Sequence, residues 1–244
     1  MLPRPGLGVY ITARWPDEDK FGEYLDALRG VADFVEVGVP TDNPKYDGPF
    51  IRLSHRSVKV KGLEALRGLR RVDNLVIMAY AEDFADNLEE LFRAARDVGA
   101  ASVLLPDLLV DFPDLLEAYV AKAKEHGLAP SFFLPSKFPH SLAARLASFD
   151  PLFIYLGLYA ATGIRLPVYV ERNIKTAREL IGDVYLVAGF AIDSAERAKS
   201  LIAAGADGVV VGTAAMVKLG ESLKRAISFL REVKAAISDE RQHI

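Results

Sequence analysis

Two carboxylic acids near the start of the chain occupy positions where acid–base chemistry is possible. Glu36 interrupts the mostly apolar segment Asp33–Val39, and Asp47 follows in a loop rich in proline and glycine. Side chains alternate across a β-strand, so the three valines of this segment share one face and Glu36 lies on the other, facing the interior. Burying an unpaired ion costs several kcal/mol, and burial raises the pKa of a carboxyl group. Glu36 is therefore either a structural residue paired with a buried Arg or Lys, or a catalytic acid or base with a raised pKa.

The loop around Asp47 is restricted in shape. Asp47 stands before a Gly-Pro pair, and proline and glycine limit the conformations that such a loop adopts. This aspartate is either an ordinary turn residue or a second reactive group presented over the end of the strand that carries Glu36.

The composition excludes several other kinds of site. The chain of 244 residues has no cysteine, which excludes disulfides, thiolate nucleophiles and cysteine–zinc sites. Its four histidines are far apart in sequence, so we expect no metal site. A formal net charge of −3 lacks the basic character of a nucleic-acid-binding surface. No apolar run reaches the ~20 residues of a membrane span, and the N-terminus shows no signal-peptide pattern. We therefore expect a cytoplasmic protein that binds neither nucleic acid nor membrane.

Eight apolar segments of strand length alternate with segments of helical periodicity. The predicted strands are Gly6–Thr12, Asp33–Val39, Asn74–Tyr80, Ser102–Pro106, Pro130–Leu134, Leu152–Gly157, Val184–Gly189 and Gly208–Gly212. Eight β-α units account for the whole chain, so the sequence predicts an α/β fold, a (β/α)8 TIM barrel that forms a single domain over residues 1–244. An open doubly wound sheet is the alternative, but the G-x-G-x-x-G turn typical of it does not follow the first strand.

Several helix ends can also be placed. Gly99, Gly127 and Gly205 each follow an apolar stretch of helical spacing and can end a helix, and Asp193 or Ser194 can begin the one that Gly205 ends. In a TIM barrel the reactive groups lie at the C-terminal ends of the strands and in the loops that follow. The predicted elements thus bring Glu36 and Asp47 to the catalytic end of the barrel.

The segment that holds both carboxylates resembles a known family signature. Glu36-Val37-Gly38-Val39-Pro40, Asn43-Pro44 and Asp47-Gly48-Pro49 are similar to the pattern of the tryptophan synthase α-subunit family. The similarity continues through segments 102–107, 162–163, 189–190 and 208–213. The family fold is a (β/α)8 barrel, in agreement with the count of strands.

The resemblance implies a lyase of tryptophan biosynthesis that cleaves indole-3-glycerol phosphate to indole and glyceraldehyde 3-phosphate. In this retro-aldol reaction, protonation at indole C3 lets the ring leave as a neutral heteroaromatic. Glu36 matches the family's acid–base glutamate, and Asp47 matches the aspartate that accepts the indole N–H and should stay ionised. Tyr155 matches a tyrosine near the substrate, with packing inside the barrel as the alternative.

A phosphate site is predicted at the ends of the last two strands. Gly212 and Thr213 can begin a short helix, whose first N–H groups and dipole would bind a phosphate. Phosphate sites of TIM barrels commonly lie there. The resemblance adds Gly163, Gly189 and Ala191 to this site.

The resemblance also implies an indole pocket and a partner. It assigns Phe190 and Asp107 to the pocket, although Phe190 is equally suited to the core. The partner is a tryptophan synthase β subunit in an αββα-type complex. Pyridoxal phosphate belongs to that subunit, and this chain holds no cofactor.

Three departures from the family pattern concern loops rather than catalytic residues. Ala191 stands where glycine is usual, and a positive φ there would strain an alanine. Asn43 replaces a usual aspartate in the loop that contacts the partner, and the sixth loop, residues 158–163, is short. These departures put coupling and loop closure in doubt more than the chemistry.

Two other functions remain open on the sequence alone. One is another phosphate-binding barrel enzyme, such as a sugar-phosphate isomerase or a glycerol-phosphate prenyltransferase, which would explain Gly212 and Thr213 but not the spaced carboxylates. The other is a non-catalytic subunit that binds a phosphate ligand and tunes a β subunit allosterically.

Overall fold

Eight parallel strands close into a barrel in which each strand pairs with the next and the last pairs with the first. The computed structural model describes residues 1–157, 170–189 and 191–240. The strands are β1 Gly6–Thr12, β2 Phe34–Gly38, β3 Leu75–Met78, β4 Ser102–Leu104, β5 Ala129–Leu134, β6 Phe153–Gly157, β7 Leu186–Gly189 and β8 Gly208–Val211. All eight predicted strands are confirmed, with ends that differ by at most two residues.

Helices follow the strands and surround the barrel. Within the described residues they are α1 Phe21–Arg29, α2 Pro49–Ser57, α3 Leu88–Asp97, α4 Leu108–Asp111, α5 Leu116–Glu125, α6 His140–Ala147, α7 Val170–Ile181, α8 Ala195–Ala203, α9 Thr213–Glu221 and α10 Leu223–Glu240. Short 3-10 helices at Gly62–Leu66, Ala81–Asp83 and Pro113–Leu115 complete the loops.

The predicted helix ends have the expected local causes. Gly99, Gly127 and Gly205 all adopt positive φ just after α3, α5 and α8, a conformation that glycine takes without steric cost. Of the two residues proposed to begin α8, Ser194 is the cap, because its hydroxyl accepts a hydrogen bond from the Arg197 amide at 3.2 Å.

The apolar residues form two cores, one on each side of the strands. The outer core fills the space between strands and helices and includes Val35, Val37 and Val39. The inner core fills the barrel and includes Phe34, on the same face as Glu36. This division confirms that the β2 valines face the helices while Glu36 points inward.

The inner core is densely aromatic toward the N-terminal ends of the strands. The rings of Phe34 and Phe153 lie 5.6 Å apart between centroids. Leu2 packs into the same cluster, and the neighbouring Tyr185 hydroxyl donates to the Pro3 carbonyl at 2.6 Å. Among the described residues, these contacts close the barrel at this end, and the space for a ligand lies at the other.

Two features of the described ranges concern membrane and metal binding. No helix there is long and apolar enough to cross a membrane. In the same ranges, no three histidine, aspartate or glutamate side chains are grouped so that they could hold a metal ion.

Candidate active site

A cavity of about 210 Å³ opens at the C-terminal ends of the strands. Residues from β1 to β6 and from β8, from α2 and α9, and from the loops that follow β2, β3, β4, β7 and β8 form its wall. Its lining consists of Tyr10, Glu36, Tyr46, Asp47, Ile51, Met78, Tyr80, Leu104, Pro106, Phe133, Tyr155, Ala191, Ile192, Asp193, Val210, Gly212, Thr213 and Ala214. Both predicted carboxylates, Tyr155 and the start of α9 thus meet in one place.

Glu36 lies in this cavity without an ionic partner among the described residues. The residue is 2% exposed, and its Oε1 atom has no hydrogen-bond partner within the described part of the chain. No Arg or Lys forms an ion pair with it among those residues, so the structural interpretation of Glu36 lacks its required partner. Burial, with a further contribution from the negative charge of Asp47, raises the pKa of Glu36 to about 8. The side chain therefore carries a proton at neutral pH.

Asp47 is held by direct contacts from two sides. The Tyr80 hydroxyl donates to Asp47 Oδ2 at 2.8 Å, and Arg52 Nε donates to the Asp47 backbone carbonyl at 2.7 Å. Burial raises the pKa of Asp47 to about 7, while the Tyr80 hydrogen bond and the Arg52 charge oppose that rise. We predicted an ionised Asp47, and the structure gives it the lower pKa of the two carboxyls but a value close to neutrality.

Ion pairs fasten the loop that carries Asp47 to the next two loops of the barrel. Lys45 Nζ lies 2.8 Å from Asp111, 3.2 Å from Glu82 and 3.7 Å from Asp107. Its neighbour Tyr46 donates a hydroxyl hydrogen bond to Asp111 at 3.3 Å. Because Lys45 and Tyr46 immediately precede Asp47 in sequence, these bonds hold the backbone from which its side chain enters the cavity.

Aromatic rings form the wall beside the carboxylates. Phe133 lies 5.6 Å from Tyr155 and 6.5 Å from Tyr46, measured between ring centroids. Gly189 leaves the space that Tyr155 occupies, since a Cβ on Gly189 would stand 1.8 Å from the tyrosine hydroxyl. Such a wall suits a flat apolar ring, with the carboxylates at its edge.

The opposite end of the cavity is suited to an anion. Helix α9 begins at Thr213, and the first N–H groups of a helix have no partner within the helix. Thr213 Oγ1 is buried without a hydrogen-bond partner in the described residues. Of the three such buried atoms found there, Glu36 Oε1 and Thr213 Oγ1 line this cavity, at positions where a ligand could satisfy them.

Comparison with known proteins identifies the family. A family model described as "Tryptophan synthase alpha chain" matches residues 4–244. The chain belongs to the tryptophan synthase alpha chain family. It is 32% identical to the tryptophan synthase alpha chain of Saccharolobus solfataricus, over 96% of this chain and 97% of that one. It is 30% identical to the alpha chain of Sulfurisphaera tokodaii, over 96% and 98% of the two chains.

Solved structures of this family share the fold. A mutant tryptophan synthase alpha-subunit from the hyperthermophile Pyrococcus furiosus is similar with a TM-score of 0.82 and 26% identity, over 98% of this chain and 100% of that one. A tryptophan synthase complex from the same organism contains a chain with a TM-score of 0.81 and 25% identity, with the same coverage.

The function of the chain is therefore that of a lyase acting on indole-3-glycerol phosphate in tryptophan biosynthesis. The alternatives that the sequence left open, a different phosphate-binding barrel enzyme and a non-catalytic allosteric subunit, are not favoured.

Some residues that the family resemblance indicated lie elsewhere or outside the described ranges. Asp107 does not line the cavity. Its Oδ1 accepts from the Ala81 amide at 2.7 Å and its Oδ2 from the Glu82 amide at 3.0 Å, so these hydrogen bonds hold the loop that follows β3. Gly189 contacts Tyr155 and is not part of the cavity lining. Gly163 and Phe190 lie outside the described residues.

Two of the departures from the family pattern have visible consequences. Ala191 adopts a φ of +52°, the strained conformation expected for an alanine in place of glycine. Asn43 Nδ2 donates to Glu82 at 2.9 Å, which adds another contact between the loop after β2 and the loop after β3. The sixth loop lies outside the described residues.

The sequence reasoning missed three tyrosines of the cavity, Tyr10, Tyr46 and Tyr80, and the histidine behind Tyr10. Tyr10 on β1 and Tyr80 after β3 both line the cavity, and His55 on α2 contacts the Tyr10 hydroxyl at 3.0 Å. The alternation of side chains on β1 puts Tyr10 on one face with Gly6, Gly8 and Thr12, and this pattern was the available signal.

Proposed function

We propose that Glu36 transfers the proton in the cleavage of indole-3-glycerol phosphate, with Asp47 and Tyr155 beside the reacting ring. The supporting observation is the buried Oε1 of Glu36, which lacks a partner among the described residues and faces the cavity that also holds the start of α9. A carboxyl with a pKa of about 8 starts the reaction in its protonated form.

The proton balance of the reaction closes on Glu36. Its carboxyl proton goes to indole C3, which converts the ring to an indolenine cation. The carboxylate left behind then takes the proton of the glycerol hydroxyl as the carbon–carbon bond breaks. The bonding electrons return to the ring, neutral indole leaves, and the hydroxyl carbon becomes the aldehyde of glyceraldehyde 3-phosphate. Glu36 ends the cycle protonated, as it began.

Asp47 stabilises the cation in this scheme. Its carboxylate accepts the indole N–H, and the positive charge that develops on the ring lowers the pKa of Asp47 and so favours its ionised form. Tyr80 and Arg52 already favour that form before substrate binds. Tyr155 contributes a neutral hydroxyl and an aromatic surface, because burial holds the pKa of its phenol well above the ordinary value.

The phosphate is bound at the start of α9. The proposed donors are the Gly212 and Thr213 amides and the Thr213 hydroxyl, with Ala191 at the rim. Neutral amides at a helix N-terminus bind an anion without a basic surface, which agrees with the net charge of −3. Gly163, in the sixth loop, belongs to this proposal on the family pattern alone.

We further propose that the chain works in the cytoplasm as one domain and associates with a tryptophan synthase β subunit. The β subunit would hold pyridoxal phosphate and consume the indole, while the alpha chain performs its step with its own side chains. The related protein from Pyrococcus furiosus was solved as a complex, which supports this assembly.

The decisive experiment is incubation of the pure protein with indole-3-glycerol phosphate, with indole and glyceraldehyde 3-phosphate measured separately. We expect both products in equal amounts. Glu36→Gln should abolish turnover and leave substrate binding within a few-fold of wild type. The exposed Glu232 of α10 provides a matched control, and Glu232→Gln should leave turnover unchanged. If the protein releases no indole, either by itself or with an added β subunit, the proposal is wrong.

A further inference from the structure

A chain of buried hydrogen bonds lies behind one wall of the cavity, and its direction can be deduced. His55 is completely buried, and its Nδ1 lies 3.1 Å from the Thr41 amide. A backbone N–H can only donate, so Nδ1 is the acceptor and the ring proton is on Nε2. Burial lowers the pKa of His55 to about 4, which keeps the ring neutral. Nε2 lies 3.0 Å from the Tyr10 hydroxyl and 3.9 Å from Asp47 Oδ2, so it donates to Tyr10.

The other end of the chain fixes where the Tyr10 proton points. Ser54 Oγ lies 2.7 Å from the Ile51 carbonyl, which can only accept, so Ser54 donates there. Thr12 Oγ1 lies 2.6 Å from Ser54 Oγ and must be the donor of that pair. Thr12 is then the acceptor for Tyr10, across 3.3 Å. Tyr10 thus receives a good hydrogen bond from His55, while its own proton is held by a long one.

Tyr10 lies between the two ends of the cavity. It pairs with Glu36 in the register of β1 and β2, and both side chains line the cavity. A Cβ on Gly212 would stand 3.6 Å from Tyr10 Cβ, whereas a Cβ on Gly38 would stand 2.2 Å from the Tyr10 hydroxyl. The ring therefore runs from the phosphate end toward the carboxylates, along the path that the glycerol chain must follow.

We propose that Tyr10 donates a hydrogen bond to the glycerol oxygen that becomes the aldehyde, and that His55 is its positioning residue. This inference rests on the proposed function. Rotation of the phenol proton from Thr12 into the cavity gives up only a long hydrogen bond, and Thr12 keeps its bond to Ser54. The proton stays on Tyr10 throughout, because Glu36 takes the hydroxyl proton of the substrate, and the neutral phenol stabilises the negative charge that grows on the oxygen as that proton leaves.

Tyr10→Phe tests the donor directly. Loss of one such donor typically lowers kcat by on the order of 10²-fold, and we expect that loss with KM changed less than threefold. Tyr24 on α1, outside the cavity lining, gives a matched control, and Tyr24→Phe should keep wild-type kcat. Circular dichroism verifies that each variant is folded.

His55 variants test the positioning role by a second route. His55→Leu removes the donor to Tyr10 and should lower kcat about tenfold without a matching change in KM. His55→Gln restores an N–H in a side chain of similar reach and should recover most of that loss. A purely structural role for His55 would instead change stability with kcat per folded molecule unaffected.

The outcomes separate this inference from the proposed function. Wild-type kcat in folded Tyr10→Phe, or a loss confined to KM, overturns the role of Tyr10 while wild-type indole release continues. If Tyr10→Phe does not fold, equal kcat in His55→Leu and wild type overturns the inference. A wild-type protein that releases no indole contradicts the proposed function itself.

Discussion

Replacing Glu36 by glutamine should make the protein more stable while it removes the proton donor. The side chain is 2% exposed, and its Oε1 lacks a partner among the described residues. Glutamine has nearly the same shape but cannot ionise. The substitution therefore removes the cost of burying an ionisable group in the barrel, and that cost depends on pH.

The sign and size of the effect follow from the pKa of Glu36. Burial raises it from 4.5 to about 8. Below pH 4.5 the side chain is protonated in both the folded and the unfolded chain and contributes no difference. Between pH 4.5 and 8 the unfolded chain loses the proton and the folded chain keeps it, so stability falls as pH rises. Since each pKa unit is equivalent to about 1.36 kcal/mol, the full loss above pH 8 is on the order of 5 kcal/mol.

The assay is urea-induced unfolding of wild type and Glu36→Gln at several pH values from 4 to 9, with circular dichroism as the measured signal. The free energy of unfolding should be similar for both proteins at pH 4. The excess stability of the variant over wild type should then grow toward pH 9. The exposed-residue variant Glu232→Gln should show no such growing difference. A gain by Glu36→Gln that is equal at pH 5 and pH 9 would refute the argument that the charge is buried.

Three further substitutions test other contacts of the site. Ala191→Gly should raise the free energy of unfolding by about 1 kcal/mol, because Ala191 has a φ of +52° and glycine adopts such angles freely; thermal unfolding measures the gain. Tyr80→Phe removes a hydrogen bond that lowers the pKa of Asp47, so the acid limb of the kcat/KM profile should move to higher pH by about one unit. Gly189→Ala places a Cβ 1.8 Å from the Tyr155 hydroxyl, and we expect the free energy of unfolding, measured in urea, to fall by about 1–3 kcal/mol.

Each of these predictions has a result that contradicts it. The exposed Ala235 in α10 serves as the control for glycine substitution, and Ala235→Gly should destabilise the protein by up to about 1 kcal/mol. A loss of similar size in Ala191→Gly would show that residue 191 is not strained. An unshifted acid limb in Tyr80→Phe, or wild-type stability in Gly189→Ala, would count against the contacts described for those residues.

The fold and the placement of Glu36 were predictable because both depend on short-range patterns. Strand length and alternation are properties of five to seven neighbouring residues, and they assigned Glu36 to the inside of the barrel before any contact was known. The glycine helix ends are equally local, since a glycine adopts a positive φ without steric cost.

The contacts between loops were not predictable in the same way. Asp107 follows β4 at the catalytic end, as a site residue would, but the path of the third loop brings two backbone amides to its oxygens. His55 contacts Tyr10 because α2 packs beside β1, and the two residues are far apart in sequence. The residues next to Lys45 in sequence do not indicate its three acidic partners, because those partners come from later parts of the chain.

The packed inner core beneath Glu36 has a kinetic consequence. Phe34, Phe153, Tyr185 and Leu2 fill the barrel below it, so within the described residues the cavity is closed at that end and opens at the C-terminal ends of the strands. Substrate and both products then share this opening, so a product that remains bound blocks the next substrate. Each product should therefore inhibit competitively, and a partner that draws indole away at the mouth would speed turnover without touching any catalytic residue.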